Sequence, residues 1–93
     1  MLESKKEESI SKIANETDFV AIYPNPFNDK ILIKSNKNII SLNIKDPTGK
    51  IIISKTANDQ QIELNLSVIP SGIYILEIIN SDFALIQSKI IKQ

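Results

Sequence analysis

From residue 19 onward, short apolar runs alternate with polar turn clusters. Phe19 to Tyr23 reads as a first strand, ended by Pro24 and Pro26, neither of which can donate a ladder hydrogen bond. Each proline also presses its predecessor, Tyr23 or Asn25, into extended geometry, so the segment forms a stiff corner before Asn28-Asp29 turns the chain. Ile31 to Lys34 is a second strand and Ser35 to Asn38 a polar turn. Ile40, Leu42 and Ile44 then alternate with Ser41, Asn43 and Lys45, the period of a half-buried third strand. Asp46-Pro47-Thr48-Gly49 carries the residues a β-turn asks for, and Lys50 to Ser54 returns to make a hairpin. Asn58-Asp59-Gln60 turns again, and Ile62, Leu64 and Leu66 line one face of a fifth strand. Val68 to Gly72 makes a corner. Ile73 to Ile79 sets Tyr74, Leu76 and Ile78 on one face and Ile73, Ile75 and Ile79 on the other, with only Glu77 polar, which predicts a central or covered strand. After Asn80-Ser81-Asp82, Ala84 to Lys92 is the last strand. Seven short strands and no convincing helix predict an all-β antiparallel β-sandwich.

Residues 1–18 differ. They are rich in Lys, Glu, Ser and Asn, with Leu2, Ile10 and Ile13 as sparse aliphatics, and read as a flexible linker. Ile10 and Ile13 stand at helical spacing, compatible with a short amphipathic helix. The division is therefore a linker over 1–18 and one domain over 19–93, without internal repeats.

Composition narrows the chemistry. The formal net charge is zero and every cation is lysine, so the chain has neither the field nor the guanidinium forks that favour nucleic acid, which is not expected as a partner. Without cysteine there are no disulfides, no thiol nucleophile and no thiolate zinc site. Without histidine the usual general base is missing. The start, Met1 to Ser9, lacks the apolar stretch of a signal peptide, and no apolar run approaches the ~20 residues of a membrane span. If the domain is exported, its address is expected on a longer parent chain.

No catalytic constellation emerges. Ser54-Lys55 and Ser88-Lys89 are neighbours in strands, so their side chains diverge. Asp29, Asp46, Asp59 and Asp82 sit in turns without a calcium-loop pattern and read as Asx turns. Neither metal nor cofactor is expected. The aromatics are Phe19, Tyr23, Phe27, Tyr74 and Phe83, with Tyr23 and Tyr74 read as core or corner residues rather than a sugar platform. The last strand supports two readings: an edge whose Lys89 and Lys92 keep it soluble, or an accessible basic segment that a partner recognises by strand addition.

Four signals in order are informative together: Tyr23-Pro24-Asn25-Pro26-Phe27; the turn with Asp46 and Gly49-Lys50; Ile69-Pro70-Ser71-Gly72-Ile73-Tyr74; and Lys89-Ile90-Ile91-Lys92 at the end. In this order and spacing the chain resembles the type A C-terminal sorting domain of the type IX secretion system of Bacteroidetes, over about Phe19 to Gln93. The turn Asn80 to Phe83 departs by lacking the frequent glycine. The resemblance implies a seven-stranded immunoglobulin-like sandwich and a non-catalytic role. The implied partners are the outer-membrane translocon, a sortase-like cysteine protease that cleaves in the preceding linker, and a cargo domain upstream. It implies passage through the periplasm to the extracellular space or cell surface. Carried over, the family motif positions are Tyr23, Pro24, Asn25, Pro26, Gly49, Gly72 and Tyr74. Gly49 and Gly72 are expected to serve turn geometry, and Tyr74 to cap a corner with its hydroxyl. Lys89, Ile90, Ile91 and Lys92 are the expected translocon contact. The alternative is an immunoglobulin-like spacer or glycan-binding module of a surface protein.

Overall fold

The computed structural model describes residues 18–93. The linker expected over 1–18, with its helically spaced Ile10 and Ile13, lies outside the described residues save for Asp18. Five strands follow one another: β1 (Val20–Tyr23), β2 (Lys30–Lys45), β3 (Ile51–Asn65), β4 (Gly72–Asn80) and β5 (Leu85–Lys92), with no helix among the described residues. Every strand-to-strand pairing is antiparallel: β1 with β2, β2 with β3 and with β4, and β4 with β5.

The strand count is five, not the seven expected. Ser35 to Asn38 and Asn58 to Gln60 do not turn the chain but lie inside β2 and β3. Neither stretch holds a glycine or proline, so polarity alone does not stop an extended backbone. The ladder slips instead: Lys34 faces Gln61, and the next partner pair is Ile39 with Asp59. Such an irregularity bends a strand and re-aims it. Before it, β2 runs between β1 and the end of β3; after it, between the start of β3 and β4. By contrast, Asp46 to Gly49 does turn. The Gly49 N–H donates to Asp46 O at 2.9 Å, and Asp46 N–H to Lys50 O at 2.9 Å.

A second bulge corrects the expected face of the third predicted strand. Ile39 faces Asn80 and Ser41 faces Ile79, so Ile40 is an extra residue on β2. The bulge shifts the alternation by one, and Ile39 is buried in place of Ile40 beside Leu42 and Ile44. The remaining core follows the predicted faces: Ile62, Leu64 and Leu66 from the end of β3, and Tyr74, Leu76 and Ile78 from β4. Each such aliphatic side chain removed from water contributes about 1.5–3 kcal/mol. β4 lies between β2 and β5, as its two-sided apolar pattern predicts. Its second face is only half covered, with Ile73 still 49% exposed.

Candidate functional site: the clasp on the last strand

The Tyr23–Phe27 corner and the end of β5 are one structural unit. Asn25 lies beside β5, and its carboxamide imitates a stretch of backbone. Its Nδ2 donates to Lys89 O at 3.0 Å, and its Oδ1 accepts from the Ile91 N–H at 3.0 Å. Two residues on, the real backbone takes over. Phe27 N–H donates to Ile91 O at 2.9 Å, Gln93 N–H donates to Phe27 O at 2.8 Å, and Phe27 forms a parallel bridge with Lys92. The Phe27 side chain anchors this arrangement in the core at 1% exposure. The prolines on either side of Asn25 follow cis peptide bonds. Four backbone groups of an edge strand are thereby satisfied over Lys89 to Gln93.

The four residues expected to contact the translocon separate by face. Ile90 is fully buried, and Lys92 points inward with it, since side chains two apart share a face. The Lys92 ammonium, 9% exposed as a residue, donates to Leu66 O at 2.9 Å, Ser67 O at 3.0 Å and Ile69 O at 2.7 Å. All three of its donors are used, and it ties the corner after β3 to β5. Ile91 is half-buried and Lys89 exposed on the other face. Of the four side chains, those of Lys89 and Ile91 are the ones that reach solvent. Tyr23, read as core or corner, is 42% exposed at the end of β1.

The same corner holds Tyr74 and Gly72. The Tyr74 hydroxyl donates to Pro70 O at 2.6 Å and the ring is buried. Gly72, the first residue of β4, has φ of 153°, a backbone conformation side chains avoid.

The turn between β4 and β5 was the departure from the family pattern, and it is built like the turn between β2 and β3. The Asn80 carboxamide oxygen accepts from Asp82 N–H at 2.9 Å and Ala84 N–H at 3.1 Å. Phe83, with φ of 62°, occupies the left-handed position and leaves its ring 79% exposed. Next to it, Lys37 bridges two carboxylates, lying 2.7 Å from Asp18 Oδ1 and bonded to Asp82. These bonds, Asp18's first, raise the Lys37 pKa above its ordinary value. Asp18, the last residue of the expected linker, is thereby held in the body of the domain.

On the outer face of β4, Glu77 accepts from Gln87 Nε2 at 2.6 Å and from Lys45 Nζ at 3.1 Å. The Gln87 amide, followed by the Lys45 ammonium, holds the Glu77 carboxyl below its ordinary value. Asp46 is likewise lowered, first by the Thr48 hydroxyl and then by the Lys50 N–H.

Sequence reasoning missed Asn25 as a pin, Lys92 as a buried cation and Asn80 as a turn organiser. For Lys92 a signal existed: Ile86, Ser88, Ile90 and Lys92 share one parity of a strand, and Ile86 and Ile90 mark that parity as inward.

A family profile described as the secretion system C-terminal sorting domain matches residues 21–93, which takes in both the Asn25 clasp and β5. Among solved structures, the chain is similar to the crystal structure of CopC from Methylosinus trichosporium OB3b. The TM-score is 0.52 at 15% identity, over 81% of this chain and 90% of that one, a likeness of fold alone. No curated protein matches the sequence.

Proposed function

The chain belongs to the type IX secretion system C-terminal sorting domain family, a secretion signal, and we propose that it carries an attached cargo across the outer membrane. In this reading it is a non-catalytic signal. The parent chain crosses the periplasm, and the outer-membrane translocon recognises the folded domain. A sortase-like cysteine protease then cuts within residues 1–18, and the cargo reaches the medium or the cell surface. In the same reading, β2 and β3, bent at their register shifts, each count as two segments, which fits the seven of an immunoglobulin-like sandwich.

The observation that carries the reading is the family match over residues 21–93. The clasp adds a physical argument. The Tyr23–Phe27 motif and the lysine-bearing end meet through Asn25, Phe27, Lys89 and Ile91, so two separate stretches of sequence become one surface only in the folded domain. A translocon that reads this surface distinguishes folded signal from unfolded chain.

The test is a secretion assay. The chain Met1 to Gln93 is fused behind a periplasmically exported fluorescent reporter in a type IX host, with a translocon-deficient host as control. Reporter outside the cell only when the translocon is present is the expected result. Reporter held in the periplasm of both hosts, while the host's own cargo is exported and the domain is folded, favours a spacer or glycan-binding module instead.

A further inference from the structure

The clasp covers only half of an edge strand. β5 ends the sheet order, with β4 on one side. Ala84 O accepts from Asn80 N–H toward β4, whereas Ile91 N–H and O and Lys89 O are turned the other way, to Asn25 and Phe27. Backbone groups alternate sides along a strand, so Leu85, Gln87 and Lys89 direct theirs outward. Lys89 O is taken by the clasp. The N–H and C=O of Leu85 and Gln87 and the N–H of Lys89 have no partner among the described residues.

The side chains around this opening set two exposed apolar groups at one end and a single lysine at the other. Leu85 is 44% exposed and Phe83 79% exposed, at the start of the open stretch. Phe83 holds a left-handed backbone at a position where the sister turn uses Gly49. At the other end stands Lys89, exposed and without an ion-pair partner among the described residues. We propose that the open half of the β5 edge, Leu85 to Lys89, takes up an extended strand of a partner protein that presents a carboxylate and an aliphatic side chain on one face, opposite Lys89 and Leu85.

Main-chain bonds to Leu85, Gln87 and Lys89 supply affinity, and Phe83, Leu85 and Lys89 select the sequence. Charge decides against a second copy of this chain as the occupant. An antiparallel pairing about Gln87 sets Lys89 against Leu85, and Phe83 to Gln93 contains no acidic residue to meet the ammonium. Assigning the strand to the secretion machinery rests on the sorting reading; the edge itself does not.

The experiment has two arms, both on the full chain. In the first, a capped Glu-Thr-Thr-Thr-Val peptide, which in an antiparallel addition sets Glu against Lys89 and Val against Leu85, is titrated into labelled protein and followed by amide chemical shifts. Changes confined to Phe83–Lys89 are expected. Gln87→Pro, which removes an outward N–H that no described residue uses, and Lys89→Glu are each expected to raise Kd at least tenfold. Phe83→Gly is expected to weaken binding severalfold while melting no lower than the parent; it and Lys89→Glu carry the decision if Gln87→Pro does not fold. No shifts at millimolar peptide, or shifts centred elsewhere, overturn the site. Concentration-dependent shifts without peptide overturn the choice of partner in favour of a second copy. In the second arm, the same variants enter the reporter assay. Lost export of Phe83→Gly and Lys89→Glu supports the edge as the sorting contact, and unchanged export overturns that role. A parent reporter that is not exported counts against the sorting reading, while the peptide arm still judges the edge.

Discussion

Two turns of this domain share the same hydrogen bonds from backbone N–H groups and have different residues at their critical position. In the turn after β2, Asp46 Oδ1 accepts from the N–H groups of Thr48 and Lys50, and Gly49 N–H returns to Asp46 O. In the turn after β4, Asn80 Oδ1 accepts from Asp82 and Ala84, and Phe83 N–H returns to Asn80 O. The left-handed position is Gly49, φ 91°, in one and Phe83, φ 62°, in the other. Glycine reaches that region freely, whereas an L side chain is held there at about 1–2 kcal/mol. The first turn is thus suited to its geometry and the second strained by a bulky, exposed aromatic. The difference teaches where to look for function: a residue that burdens the fold without packing into it is a candidate for contact with something outside.

The largest test of this comparison removes the organiser. Asn80 is 1% exposed, and Asn80→Ala leaves the N–H groups of Asp82 and Ala84 without their acceptor. A loss of about 2–3 kcal/mol in chemical denaturation is expected. A cost below roughly 0.5 kcal/mol would mean that the backbone bonds alone hold the turn. Next comes the exchange of the left-handed residue. An added Cβ at Gly49 meets nothing within 4 Å, so Gly49→Phe isolates the backbone cost. A destabilisation of about 1–2 kcal/mol is expected. A neutral Gly49→Phe would show that these turns tolerate any residue there, and the contrast would lose its meaning.

The reverse exchange is smaller and opposite in sign. Phe83→Gly relieves the strain but frees the unfolded chain, for a net stabilisation of about 0.5–1 kcal/mol. That corresponds to a rise in Tm of roughly 2–8 °C. A fall in Tm would mean that the Phe83 ring packs in solution and is not a free handle.

How far these features were readable depends on where their cause lies. The Asp46–Gly49 turn, the Ile62–Leu66 alternation and the central placement of β4 were legible because their causes are local: turn residues, period two, and two apolar faces. The bends in β2 and β3 were not. Ser35 to Asn38 looks like a turn, and only the pairings of β2 on either side of it, with β1 and the end of β3 before and with the start of β3 and β4 after, show a strand changing neighbours. The clasp was half legible. Pro24 and Pro26 marked a corner, but the bonds of Asn25 join residues 64 and 66 positions away, a register no local pattern encodes. Lys89 and Lys92 show the same limit at close range. Both were read as exposed, yet one ammonium is in solvent and the other is consumed by the carbonyls of Leu66, Ser67 and Ile69. Deleting Lys89 to Gln93 would therefore remove core, pin and clasp together, and is a poorer probe of recognition than Lys89→Glu alone.

The smallest expected effect separates the turns by pH. Asp46 titrates and Asn80 does not. The Thr48 hydroxyl and the Lys50 N–H favour the ionised carboxylate, so the folded-state pKa of Asp46 lies below its ordinary value of 3.8. A depressed folded pKa means that the unfolded chain binds the proton more readily, so stability falls as pH falls. The contribution is complete above the unfolded value and fades as pH drops through it toward the folded one. Glu77, also depressed, adds a loss of the same sign on the outer face of β4, beginning near its ordinary value of 4.5. Below about pH 4, then, exchange of the Thr48 and Lys50 amides, corrected for intrinsic rates, should accelerate relative to Asp82 and Ala84. Asp46→Asn should abolish that difference, because an amide at position 46 keeps the acceptor and has no proton to bind. Equal acid sensitivity of the two turns in the parent would assign the loosening to a shared group such as Glu77, and would leave the charge of Asp46 without a structural consequence.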